Sequence, residues 1–241
     1  MSVPFLLLAA AAPQQPGETT YIWNAATIEA KVIIVILMLF SIFAWSVMAS
    51  KAIQMRRATR LNSYFELEFG PQKNVISIHD RRVQVEGCPL FAVYQSGCVE
   101  LETRLRTSEG RRKFISLKSM EHIKRTIESE VARQSLKLES GLILLAIAVS
   151  GGPFLGLLGT VWGVMQTFAA VAMKGQADLP TMAPGVAAAL STTVAGLLVA
   201  IPSMFGYNWL VHTLRVLTVE LDNFAQELVS RMETEYLKED E

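Results

Sequence analysis

Thr160 and Thr193 each sit in the middle of a stripe of small residues. Gly156, Thr160, Gly163 and Thr167 follow one another at i, i+4, i+7 and i+11, and Ala189, Thr193, Gly196 and Ala200 repeat that spacing. Helical geometry puts each set on one face. Inside a membrane, a face of small residues lets another helix approach closely. A hydroxyl on such a face has two uses. It can bond a carbonyl of its own helix, or it can offer a neutral donor and acceptor to whatever lies against that face. Residues for other chemistry are scattered. His79, His122 and His212 are far apart, Cys88 and Cys98 are the two cysteines, and no HExxH, CxxC or GxSxG pattern occurs. No metal, cofactor or catalytic nucleophile is expected, and the chain does not read as an enzyme. The thiols are expected to be reduced, and all five of these side chains structural or exposed.

The elements that carry these stripes are defined by where charge is missing. Of 241 residues, 51% are hydrophobic and 18% charged, with a mean hydropathy of +0.33, against about 25% charged in an average soluble domain. Residues 32–50, 140–173 and 179–214 contain no Asp, Glu, Lys or Arg. A helix of about 20 apolar residues crosses a bilayer core of ~30 Å. All three runs therefore read as transmembrane helices, and the last two are long enough to project beyond the lipid. An ion path through hydrocarbon usually needs an ionisable group, and none lies in these runs. Any such group must come from a partner, for which small faces with isolated hydroxyls suit a helix bearing a carboxylate. Pro202 should kink the third span or free a carbonyl near Leu198.

The net charge of zero conceals a division. Residues 51–139 carry 17 basic and 11 acidic side chains, and residues 213–241 carry 3 and 8. Lys51, Arg56, Arg57 and Arg60 follow the first span, while Lys124, Arg125, Arg133 and Lys137 precede the second. The positive-inside rule then places the N-terminus outside and both charged regions in the cytoplasm. The excess of positive charge reads as topology and attraction to anionic lipid, with no aromatic interleaving to suggest nucleic acid. Apolar residues at helical spacing (Val93, Leu101 and Leu105; Leu117, Met120, Ile127 and Val131; Leu217, Leu221, Phe224, Leu228 and Met232) predict amphipathic helices that bundle below the membrane.

The expected class is an all-α membrane protein with three transmembrane helices, two of them extending into a cytoplasmic helical bundle. Its expected parts are an external segment 1–30, a first span 31–50, a cytoplasmic helical region 51–139, a second span 140–173, an external loop 174–183, a third span 184–212 and a cytoplasmic helix 213–241. The helix from about Ile115 is expected to run unbroken into the second span. Residues 3–12 resemble a signal-peptide core but lack the basic stretch before it, and are read as retained. Trp45, Tyr21, Trp23, Tyr207 and Trp209 read as interface anchors, and Trp162 as packing between helices.

The run GGPFLGLLGTVWGVM at 151–165, followed by PGVAAAL at 184–190, Thr193, GLLVAIP at 196–202 and Tyr207-Asn208, closely resembles the signature of the ExbB/TolQ proton-channel family, relatives of MotA. The resemblance covers roughly residues 138–210. It implies a homo-pentamer in the bacterial inner membrane, with the N-terminus periplasmic and the C-terminus cytoplasmic. The second and third helices of the ring surround two ExbD/TolR-like single-span subunits, each with one membrane Asp. Proton flow past that Asp drives work on the envelope through a TonB- or TolA-like protein. In that picture Thr160 and Thr193 line the proton path, and Gly156, Gly163, Thr167, Ala189, Gly196 and Ala200 pack the partner helix. The best-known members have Glu where this chain has Ala188, so a path relying on that Glu cannot operate unchanged; Ala188→Glu is expected to leave assembly intact. Alternatives are a non-transporting helical scaffold, or a flagellar-type stator, which would have four spans instead of three.

Overall fold

A computed structural model describes residues 27–81, 85–107, 110–111, 114–175 and 178–237. The helices are α1 (Ile28–Phe69), α2 (Ser77–Asp80), α3 (Pro89–Leu105), α4 (Leu117–Glu139), α5 (Leu142–Lys174) and α6 (Leu179–Tyr236). A two-residue antiparallel pair, β1 (Arg106–Thr107) with β2 (Gly110–Arg111), follows α3. Three helical stretches are long and apolar enough to cross a membrane: Ile28–Phe69, Leu117–Lys174 and Met182–Tyr236. The protein is thus an all-α membrane protein. The expected signal-like segment, Tyr21 and Trp23 lie outside the described residues.

The helix expected to continue from Ile115 into the second span is interrupted. α4 ends at Glu139 and α5 begins at Leu142, with Gly141 between them at φ 87°. That left-handed conformation strains any residue with a Cβ and is the usual way to end a helix. α6, by contrast, continues through both Pro184 and Pro202. Proline removes one backbone donor, yet the α6 helix has no end at either position.

The chain forms two compact units, Met1–Trp45 with Leu144–Phe205, and Ser46–Ile143 with Gly206–Glu241. In the first, the start of α1 packs through Ile33 and Leu37 on Val199, with Phe40, Leu155 and Ala195 around them, and Ala30 meets Ala188. Most of its apolar surface is not covered by the chain itself. Only 11% of the most apolar window of α1 is buried, with 28% and 33% for the other two stretches, so lipid or other chains must cover the rest. Trp162, expected between helices, is 44% exposed within this chain.

The second unit has a conventional core. Phe65 and Phe69 of α1, Phe91 and Tyr94 of α3, and Phe224 of α6 form one aromatic cluster, with ring centroids 5.2–6.3 Å apart. These separations suit edge-to-face packing. Tyr94 is fully buried, and its hydroxyl donates to the Val75 carbonyl (2.6 Å) while accepting from the His79 amide (3.0 Å). Met120, Ile123, Ile127 and Val131 form the buried stripe of α4, and Leu217, Leu221, Leu228 and Met232 that of α6. Gly97 brings α3 close, since a Cβ there would stand 2.9 Å from Ile127 Cδ1 and 3.3 Å from Leu228 Cδ2. The unit is tied at its end by the Ile115 amide, which donates to Tyr236 O (2.9 Å), and by Arg231, whose guanidinium lies 4.6 Å from the Phe69 ring centroid. Cys88 caps α3 by accepting from the Phe91 amide, and Ser116 caps α4. Both cysteines are free and buried. Burial pushes both thiols up, that of Cys98 to about 12.

Candidate functional site

α5 and α6 meet through glycine. A Cβ on Gly156 would lie 2.9 Å from the Thr192 carbonyl and 3.0 Å from Thr193 Cα. One on Gly152 would lie 3.0 Å from the Gly196 carbonyl, and one on Gly163 3.2 Å from Ala189 Cα. These partners are backbone, so no rotamer change relieves the clash. The sequence produces this contact because small residues recur on one face of each helix, and the two backbones settle against each other along them. Gly156, Gly163, Thr167, Ala189, Gly196 and Ala200 are all buried, and in the single chain the small faces pack on each other.

Hydroxyls gather at one level of this contact. Thr160 Oγ1 lies 3.2 Å from Gly156 O on its own helix and 3.3 Å from Ala189 O across the gap, and it is hydrogen-bonded to Thr193 Oγ1. Thr193 Oγ1 also reaches Gly156 O (3.1 Å), as does Thr192 Oγ1 (3.0 Å), which is 2.7 Å from Ala189 O as well. Each hydroxyl carries one proton and has two acceptor positions. Thr160 and Thr193 therefore have two consistent bonding orders on the same heavy atoms. Either Thr193 donates to Gly156 O and receives from Thr160, or Thr193 donates to Thr160, which donates to a carbonyl. A hydroxyl pair of this kind can reverse its direction without any backbone movement. Both side chains are half-buried, whereas Thr192 is completely enclosed.

Other hydroxyls in these helices stay at home. Thr167 donates to Gly163 O, Ser191 to Ala187 O and Ser203 to Val199 O, at 2.7–2.8 Å and four residues back. Among the described residues, the hydroxyls that bond across α5 and α6 are those of Thr160, Thr192 and Thr193. Thr192 lies off the stripe that helical spacing defines; the sequence points to it, with Ser191, only as a polar neighbour that could stand in for the Glu missing at Ala188. Ala188 is 3% exposed against Ala30. Among the described residues, no group of three His, Cys, Asp or Glu could hold a metal ion.

A sequence model of the MotA/TolQ/ExbB proton channel family matches residues 100–223, which include α4, α5, the hydroxyl cluster and much of α6. The chain belongs to that family. The TolQ protein of Haemophilus influenzae is 32% identical over 212 residues, covering 85% of this chain and 89% of its own. The TolQ of Pseudomonas aeruginosa is 31% identical over 79% of this chain and 83% of its own, and an ExbB of Neisseria meningitidis serogroup B 28% over 83% and 90%. The family assignment agrees with the resemblance in the GLLGTVWG run, and relatives named ExbB and TolQ match at similar identity. As a MotA/TolQ/ExbB protein, the chain brings its hydroxyl cluster and its small-residue contact inside the matched segment.

Proposed function

We propose that this chain is the ring-forming subunit of a proton-driven motor in the bacterial inner membrane. In this reading the N-terminus is periplasmic, the helical unit containing α3 and α4 is cytoplasmic, and the working oligomer is a homo-pentamer. The ring holds an ExbD/TolR-like dimer whose membrane Asp carries the proton, and work passes to the envelope through a TonB- or TolA-like protein. Thr160 and Thr193 line the path and solvate the partner's carboxyl as it exchanges protons. The chain acts here as a transport-energising subunit and not as an enzyme. The family match supports the proton-channel part.

The observation that carries the residue-level reading is the Thr160–Thr193 pair with its shared Gly156 carbonyl. It is a reversible neutral relay in spans without a charged residue of their own. The partner's Asp meets the half-buried edge of the pair, while the buried glycines and alanines hold α5 and α6 close enough for the two hydroxyls to touch. Native mass spectrometry of the complex purified from its own membranes tests the assembly. A ring of this chain holding a single-span protein with one membrane carboxyl is expected. A homo-oligomer with no such protein would favour the non-transporting scaffold.

A further inference from the structure

A groove of about 790 Å³ opens within the second unit, between α1 just past Ser50, the start of α3 and the end of α4. That volume lies in the ~300–1,000 Å³ range of small-molecule sites. Its lining combines a buried apolar floor, including Phe91 and Leu138, with the side-chain amides of Gln54, Gln95 and Gln134 and the cations of Arg57 and Lys137. Glu86 is the acidic residue on the rim.

Three features point to an anionic lipid. First, depth: Ser50 ends the first charge-free run and Ser140 starts the second, so the groove's lining begins where the bilayer stops. Lys51 joins the two helices at that edge, its Nζ donating to Gln54 Oε1 (2.9 Å), Leu138 O (3.3 Å) and Ser140 Oγ (3.4 Å). Second, charge: among the described residues neither Arg57 nor Lys137 has a carboxylate partner, whereas Arg104, Arg106, Arg133 and Arg231 each have one within 2.8 Å. Third, shape: Gly87, at φ 87°, lets the loop lie along Arg57, with the position of a Cβ 3.6 Å from Nε. The first-turn amides of Leu90 and Phe91 are already taken by Asn62 and Cys88. The start of α3 therefore adds its dipole and not free donors.

We propose that this groove binds the headgroup of an anionic phospholipid from the adjoining leaflet, with Arg57 and Lys137 meeting the phosphate and the three glutamines the glycerol oxygens. The proposal goes beyond the transport reading and stands without it.

The test uses the full-length protein in detergent, stripped of lipid and then given phosphatidylglycerol, phosphatidylcholine or inorganic phosphate, with native mass spectrometry counting what stays bound. Arg57→Gln/Lys137→Gln should retain phosphatidylglycerol about tenfold less well than the natural protein. Arg60→Gln/Lys118→Gln, which removes the same charge outside the groove, should behave as the natural protein does. Equal losses in both double variants would reduce the effect to general attraction and overturn the site. Equal retention of phosphatidylcholine would overturn it too, and displacement by millimolar phosphate would assign the groove to the free ion. A second measurement does not depend on removing the cations. Maleimide labelling of Gln95→Cys should be slowed by phosphatidylglycerol alone. A rate indifferent to lipid, or a thiol already blocked without it, as a second copy over the groove would cause, overturns the proposal.

Discussion

Thr160 on α5 and Thr193 on α6 are 33 residues apart in sequence and hydrogen-bonded to each other, and both hydroxyls also reach the carbonyl of Gly156. The contact exists because position 156 lacks a side chain. Any Cβ there would push the Thr192–Thr193 backbone away and separate the hydroxyls.

Replacing either hydroxyl by a methyl should slow proton movement without dismantling the protein. Thr160→Val and Thr193→Val keep the volume and remove the relay. A net hydrogen bond is worth ~1 kcal/mol, so a roughly fivefold loss of flux is expected for each, and the serine variants should recover it. A pH-sensitive dye inside liposomes containing the complete complex gives the rate. Flux equal to that of the natural protein would remove these residues from the path.

The glycines should differ in their tolerance of a methyl group. Gly156→Ala and Gly163→Ala insert a Cβ against backbone and should cost about 1–3 kcal/mol through overpacking. Gly151→Ala, with nothing within 4 Å of the new atom, should be neutral or slightly stabilising. Thermal unfolding of the three variants in one detergent compares them directly; alanine is the better helix former, so a matching loss at Gly151 would mean that the α5–α6 contact does not set the cost.

Ala188→Glu is expected to lower the stability of the chain, whether or not the oligomer still assembles as the sequence leads one to expect. The position is buried against Ala30. A carboxylate there loses water, at a cost of several kcal/mol or neutralisation of the group. A lower unfolding temperature, steeper at high pH where the carboxyl must ionise, is the expected result; unchanged stability across pH would show that water reaches this site.

The second unit should weaken in alkali. Burial first, then neighbouring carboxylates, hold the Cys98 thiol at about 12, above its ordinary 9.0. Burial likewise raises the Tyr94 phenol beside it. A raised folded-state pKa stabilises fully below the unfolded value and is lost as pH climbs toward the folded one. Stability should therefore be level up to about pH 9 and fall between 9 and 12. Denaturant midpoints at pH 8 and 10.5 measure the drop, which Cys98→Ala should lessen. A flat profile in the natural protein would mean that the thiol is accessible, and it should then also react with maleimide before unfolding.

Much of the architecture could be read from the order of residues. Runs without charge have one stable solution in a bilayer, a helix that satisfies its own backbone, so three spans follow from 32–50, 140–173 and 179–214 without knowledge of any contact. The amphipathic stripes were legible too: Met120, Ile127, Val131, Leu221 and Leu228 are buried as their spacing requires, although Leu117, the first residue of α4 and part of the same expected stripe, is exposed. So were the stripes of small residues, since periodicity names a face. It does not name what lies against that face. Only the tertiary structure set Gly156 against the Thr192–Thr193 backbone, enclosed Thr192, buried Ala188 on Ala30 and broke the helix at Gly141. The break at Gly141 is a local glycine turn; each of the others depends on how two segments distant in sequence approach, where a few tenths of an ångström decide the fit. Local patterns of polarity do not encode distances that fine; side-chain volumes brought together from remote positions decide them.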